Sequence, residues 1–179
     1  MFYKIVAMFV VGFTMSTLAG TATENLDVFR GVQQQVLGYT QFTIFDSVQA
    51  KVNDGVVTLT GKVTMPYKRE DIGRLVEKAN GVRDVRNHID VLPVSHCDDE
   101  LRFRISRAIY RNSNFWTYAT MTRPPIHVIV ERGRVTPEGV VNNEVERVLA
   151  RAIAGSFDAF SITNNLKTDA EMREELEKL

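Results

Sequence analysis

Apolar and polar residues alternate along SVQAKVNDGVVTLTGKV, residues 47–63, and the alternation breaks once, at Asn53-Asp54-Gly55. A period of two places one face of a strand in a core and the other in water, so the stretch predicts two strands. Asp-Gly between them predicts a tight hairpin, because both central positions of a type I′ turn need positive φ. Val57, Leu59 and Val63 fall on the core face, and Thr58, Thr60 and Lys62 on the outer one. Residues 25–37 predict a helix before this hairpin. After it, Ile72, Leu75, Val76 and Ala79 form the apolar stripe of a second helix, with Asn80-Gly81 as its left-handed stop. Val85, Ile89 and Val91 then alternate into a closing strand.

The outline returns further along. Gly55, Val57, Gly61 and Val63 are answered by Gly133, Val135, Gly139 and Val141, each 78 positions on. Upstream, Val32, Val36 and Leu37 match Ile105, Ile109 and Tyr110 at an offset of 73, which puts five extra residues within SNFWTYATMTRPP. Downstream, Ile72, Leu75, Val76 and Ala79 are matched to Val145, Val148, Leu149 and Ala152, again at 73, which removes five residues between strand and helix. Self-similarity on this scale marks a duplicated unit. Each unit reads αββαβ, and its strands are too few to bury both faces of a sheet, so both helices are expected on one side. The fold class is therefore α+β: two tandem small αββαβ domains, each a three-stranded sheet with two helices on one face. Gly55, Gly61, Gly81, Gly133 and Gly139 are read as structural turns. Pro137 stands where the first copy has Leu59 and, lacking an N–H, predicts an edge strand, a bulge or a shortened strand.

Composition adds limits. Of 179 residues, 22 are basic and 22 acidic, so no charge excess points to nucleic acid. The start, MFYKIVAMFVVGFTMSTLAGTATE, has Lys4 as its only charge before an apolar run from Ile5 to Phe13 and a stretch of small residues. That pattern predicts a signal peptide over 1–22, with cleavage after Ala19 or Ala22. Leu18-Ala19-Gly20-Thr21 has the outline of a lipoprotein box with threonine in the place of the lipidated cysteine, so an exported, unlipidated chain is expected. Cys97 is the only cysteine, which excludes an intramolecular disulfide and leaves an intermolecular one open. His96, Cys97, Asp98 and Asp99 are consecutive linker residues and do not make a metal site.

The run Val52, Gly55, Val57, Leu59, Gly61 and Val63, followed by Gly81, Val82, Val85, Asn87, Ile89 and Val91, resembles the BON domain, named for bacterial osmotically induced and nodulation proteins. The second copy keeps Val130, Gly133, Val135, Gly139 and Val141, while Phe157 and Phe160 stand near the places of Val82 and Val85 and the asparagine step is blurred between Asn164 and Asn165. The layout expected is a signal peptide, 1–22; a first BON domain, 24–93; a linker, 94–99; a divergent second BON domain, 100–166; and a charged helical tail, 167–179. That arrangement looks like the osmotically induced periplasmic proteins. The resemblance implies a periplasmic, non-catalytic protein without cofactor that associates with phospholipid surfaces and supports the envelope of Gram-negative bacteria under osmotic or envelope stress.

Membrane-surface binding needs an apolar or aromatic edge beside positive charge. In DDELRFRISRAIYRNSNFW, Leu101, Ile105, Ala108 and Ile109 form a core-facing helical stripe. Arg104, Arg107 and Arg111 cluster beside it, and Phe103 and Tyr110 line up opposite the core, with Phe115 and Trp116 just beyond. These seven residues are the candidate site for anionic phospholipid; in lipid-binding members of the family the second domain's first helix is the implicated element. The tail, with five acids against three bases, reads as a solvated helix. No nucleophile with a base, paired carboxylates or ligand cluster has the spacing catalysis requires, and no GXXG clamp for nucleic acid is present. The alternative to lipid binding is a protein-interaction or adaptor module in the envelope; oligomeric state is not legible.

Overall fold

The computed structural model describes residues 19–177, with side-chain burial from 24 to 175. The expected signal peptide therefore lies outside the described residues up to position 18, while 19–22 open the first helix. The described chain divides into two compact units: one holds 19–42 and 48–92, the other Thr43–Ser47 and 93–177.

The first unit contains α1 (Ala19–Gly38), β1 (Ser47–Asn53), β2 (Val56–Val63), α2 (Pro66–Glu77) and β3 (Asp84–Val91). Its sheet has the order β1-β2-β3, with β3 parallel to β2 from Val56↔Asp84 to Val63↔Val91. This is the predicted αββαβ topology. The hairpin turn has Asp54 at φ 48° and Gly55 at φ 74°, as type I′ geometry demands. Val32 and Val36 of α1, Val57, Leu59 and Val63 of β2, and Ile72 and Val76 of α2 are fully buried. Each such side chain contributes about 1.5–3 kcal/mol relative to exposure.

The second unit is more elaborate than the simple αββαβ expected. It runs α3 (His96–Arg111), a 3-10 turn (Ser113–Phe115), α4 (Trp116–Ala119), β4 (Ile126–Glu131), β5 (Arg134–Val141), α5 (Glu144–Ala154), β6 (Ser161–Ile162), β7 (Asn165–Thr168) and α6 (Asp169–Glu177). The 3-10 turn and α4 accommodate the insertion predicted in SNFWTYATMTRPP. The sheet is four-stranded rather than three-stranded, because the closing strand is split into β6 and β7, both parallel to β5. Helix α6 docks on β7 and β5 and buries Met172, so the tail is not a wholly solvated helix.

Pro137 has a different consequence from the one expected. Strand β5 is central and spans eight residues, as β2 does. Proline is tolerated because the Val128 N–H, on the residue facing Pro137, donates to the Ile44 carbonyl at 2.8 Å, away from β5. Val128 and Pro137 therefore form a non-hydrogen-bonded pair, and the missing N–H of Pro137 faces the other neighbour. On that side β6 pairs with Arg134 and Val135, and β7 resumes only at Glu138. The proline sits opposite the break, where no ladder bond is lost.

All five predicted glycines have positive φ, but Gly61 (φ 119°) and Gly139 (φ 120°) lie inside β2 and β5 rather than at turns. A Cβ at Gly139 would overlap the carbonyl oxygen of Pro125, so close backbone approach explains that glycine.

Candidate functional site

Helix α3 begins at a built cap. The Ser95 hydroxyl accepts the Asp98 N–H at 3.2 Å, satisfying one of the donors left open at a helix start. His96–Asp99, set apart by the sequence reading as linker, are thus its first turn. Asp98 is buried, and its two carboxylate oxygens accept the N–H groups of Arg132 and Gly133, each at 2.8 Å. That double contact holds Arg132 at φ 52°, a conformation unusual for a side chain of its size.

With Leu101, Ile105 and Ile109 buried, the helix turns Arg104, Arg107 and Arg111 outward, and all three are exposed. The Arg104 guanidinium lies over the Phe157 ring, 5.2 Å from its centroid. Arg102 is instead buried and hydrogen-bonds the Val130 carbonyl at 3.0 Å.

The four predicted aromatics separate into two pairs. Phe103 is 59% exposed and Trp116 67%. Phe103 also meets Phe45 edge-on, with centroids 4.8 Å apart. Tyr110 is half-buried; its hydroxyl donates to the Ile126 carbonyl at 2.5 Å and accepts the Ile126 N–H at 3.2 Å. Burial pushes this phenol well above the usual tyrosine range. Phe115 is fully buried and stacks on Tyr118. The exposed set is therefore Phe103, Arg104, Arg107, Arg111 and Trp116, whereas Tyr110 and Phe115 support the fold beneath it.

A second exposed apolar surface lies on α5. Val145 and Val148, placed in the core by the offset of 73, are 74% and 57% exposed on α5. In the folded chain the offset of 78 persists through this helix: Ala150 and Ala154 are buried where the first repeat buries Ile72 and Val76. Carrying the strand offset onward would have found them. Helix α5 packs beside α3. Arg104, midway along α3, reaches Phe157 beyond the end of α5, while Tyr118, after α3, donates to Glu146 near the start of α5 at 2.5 Å. The two helices thus run antiparallel, and the exposed valines lie on the helix that packs against the arginine-bearing one.

Among the described residues, no group of three or more His, Cys, Asp or Glu side chains could hold a metal ion, and no helix is long and apolar enough to cross a membrane. Cys97 is exposed.

Two segments of the chain, residues 32–93 and 98–170, match the family model of the BON domain. The chain belongs to the BON domain family. It is a tandem, non-enzymatic BON-domain protein, and BON domains as a group are associated with membranes, phospholipid and envelope roles. No curated protein matches the chain. Among solved structures, it is similar to CdsD, a structural protein of the type III secretion system of Chlamydia trachomatis, at 11% identity over 84% of this chain and 97% of that one, with a TM-score of 0.29. A structure of the C-terminal domain of CdsD aligns at 12% identity over 86% of this chain and 70% of that one, with a TM-score of 0.32.

Proposed function

We propose that this BON protein works in the periplasm as a peripheral membrane-surface module, using the outer face of α3 to hold anionic phospholipid and support the envelope under stress. The observation that carries the reading is the row Arg104, Arg107 and Arg111, exposed on one helix face with exposed Phe103 next to it in the chain, and with Trp116, also exposed, five residues past the helix end. The arginines supply attraction to phosphate headgroups, and the aromatics supply groups suited to the water–hydrocarbon boundary. A basic side chain at an anionic surface contributes about 1 kcal/mol, so three amount to roughly a hundredfold preference over a neutral surface. Exposed Asp99 and Glu100 reduce that figure. Val145 and Val148 widen the apolar part of the same helical layer.

Trp116 is the only tryptophan of the chain, which makes its fluorescence a site-specific probe. Titration with phosphatidylglycerol vesicles should shift its emission to the blue, and salt should reverse the shift by screening the arginines. A shift that persists in salt would assign vesicle binding to the exposed apolar side chains rather than to the arginines. An emission unchanged by vesicles at low salt would overturn the lipid reading.

A further inference from the structure

The second unit contains a buried polar cluster that the lipid reading does not use. Thr43–Ser47 lies along β4, where the Val128 N–H donates to the Ile44 carbonyl. The segment is shaped by Asp46, fully buried, whose Oδ2 accepts the Thr43 N–H at 2.8 Å and the Thr43 hydroxyl at 2.7 Å. Ser47 donates to Glu138 Oε2 at 2.5 Å, and Asn165 donates to Glu138 Oε1 at 3.3 Å. Glu138 is in turn the cross-strand partner of His127 on β4. His127 is buried, with backbone hydrogen bonds to Asp46 and Thr43.

We propose that His127 is an acid-sensitive latch, holding Thr43–Ser47 against β4 while neutral and releasing it when protonated. The charged groups facing the imidazole are Asp46 from the segment and Glu138 from β5, and both favour the cation. Removal of the ring from water is the largest influence and holds the docked histidine below its ordinary value of 6.5, prevailing over the hydrogen bonds to the Asp46 and Thr43 backbone and over the two charges, all of which favour the cation. The sign follows: the docked state prefers the neutral ring and the released state takes up a proton near 6.5. Docking is complete above that pH and weakens as pH falls toward the docked value. One proton per latch makes opening increase up to about tenfold per pH unit in that window. The other two histidines, His88 and His96, are exposed and have no comparable burial to lose. The segment also carries Phe45, whose ring meets Phe103 of α3 edge-on, so opening of the latch would free that edge of the α3 outer face.

Amide hydrogen exchange of the full chain tests it, with protection factors followed from pH 7.5 to 5. Protection of Val128 should decline below pH 6.5, while β2 amides such as Val57 keep theirs, and His127→Gln should abolish the decline. Unchanged protection of Val128, or the same decline in His127→Gln, would overturn the proposal. If that variant fails to fold, NMR titration of His127 in the unaltered chain decides: a midpoint below 6.5 coinciding with Val128 opening supports the latch, and a midpoint at or above 6.5, or one unaccompanied by opening, overturns it.

Discussion

Asn164 donates its side-chain amide to the carbonyl of Arg147 at 3.0 Å and so ties the closing strand of the second repeat to the helix before it. Its Oδ1 accepts the Leu166 N–H two residues on, at 3.3 Å. Asn87 does the same in the first repeat, donating to the Arg69 carbonyl at 2.8 Å and accepting the Ile89 N–H at 3.2 Å. The asparagine of the BON motif is thus a staple between strand and helix in both copies, and Asn164 rather than Asn165 is its second instance.

The staple in the first repeat depends on Gly73, because a Cβ there would come within 2.8 Å of Asn87 Nδ2. Asn87→Ala should cost about 1–2 kcal/mol by removing two hydrogen bonds, one to the exposed Arg69 carbonyl and one from the part-buried Ile89 N–H. Gly73→Ala should displace the same amide, so the double variant should lose less than the sum of the singles. Denaturant titration of the four chains measures this; full additivity would show that the glycine does not serve the asparagine.

Asp98 should matter more than an ordinary helix-start carboxylate, since it serves a turn more than 30 residues away. Asp98→Ala removes both acceptors from the Arg132–Gly133 turn and should destabilise the second unit by about 2–3 kcal/mol. Asp98→Asn keeps one acceptor and should lose roughly half as much. Equal losses for alanine and asparagine would contradict a two-acceptor role.

The start of α6 is a reciprocal cap: the Glu171 carboxylate accepts the Thr168 N–H at 2.8 Å, and Thr168 Oγ1 accepts the Glu171 N–H at 3.3 Å. Arg147 also donates to Glu171 at 2.8 Å. The Thr168 backbone first, and then Arg147, hold the Glu171 carboxyl below its ordinary value of 4.5, against the desolvation that raises it. A depressed carboxylate stabilises above its unfolded value and loses that contribution as pH falls through the folded one. Helicity of α6 should therefore decrease below about pH 4.5. Glu171→Gln should reproduce the loss at neutral pH, as read by amide exchange around Met172. A helix equally protected in that variant would show that Met172 alone secures it.

The first repeat was legible because its signals are local. Asp54-Gly55 carries its turn in two residues, and the stripe Ile72, Val76 reads directly as a core face. The second repeat distributes the same information. Arg132 has no preference for positive φ and relies on Asp98, and the closing strand is interrupted beside Pro137. Helix α5 misled because its buried face uses small Ala150 and Ala154 while valines point outward, so hydrophobicity ranked the faces in the wrong order. The helical projection placed Phe103 and the arginines outward, where they are. It could not show that the Tyr110 hydroxyl reaches the β4 backbone, or that the chain leaves the helix at Asn112 and turns Phe115 into the core.

The central claim is that the arginine face of α3 selects anionic phospholipid. Co-sedimentation of the chain from Thr23 with phosphatidylglycerol and phosphatidylcholine vesicles, beside Arg104→Glu/Arg107→Glu, tests it most directly. The account predicts selective pelleting with phosphatidylglycerol that the folded double variant loses. Equal pelleting by the variant, or none by the unaltered chain with either vesicle, would contradict it.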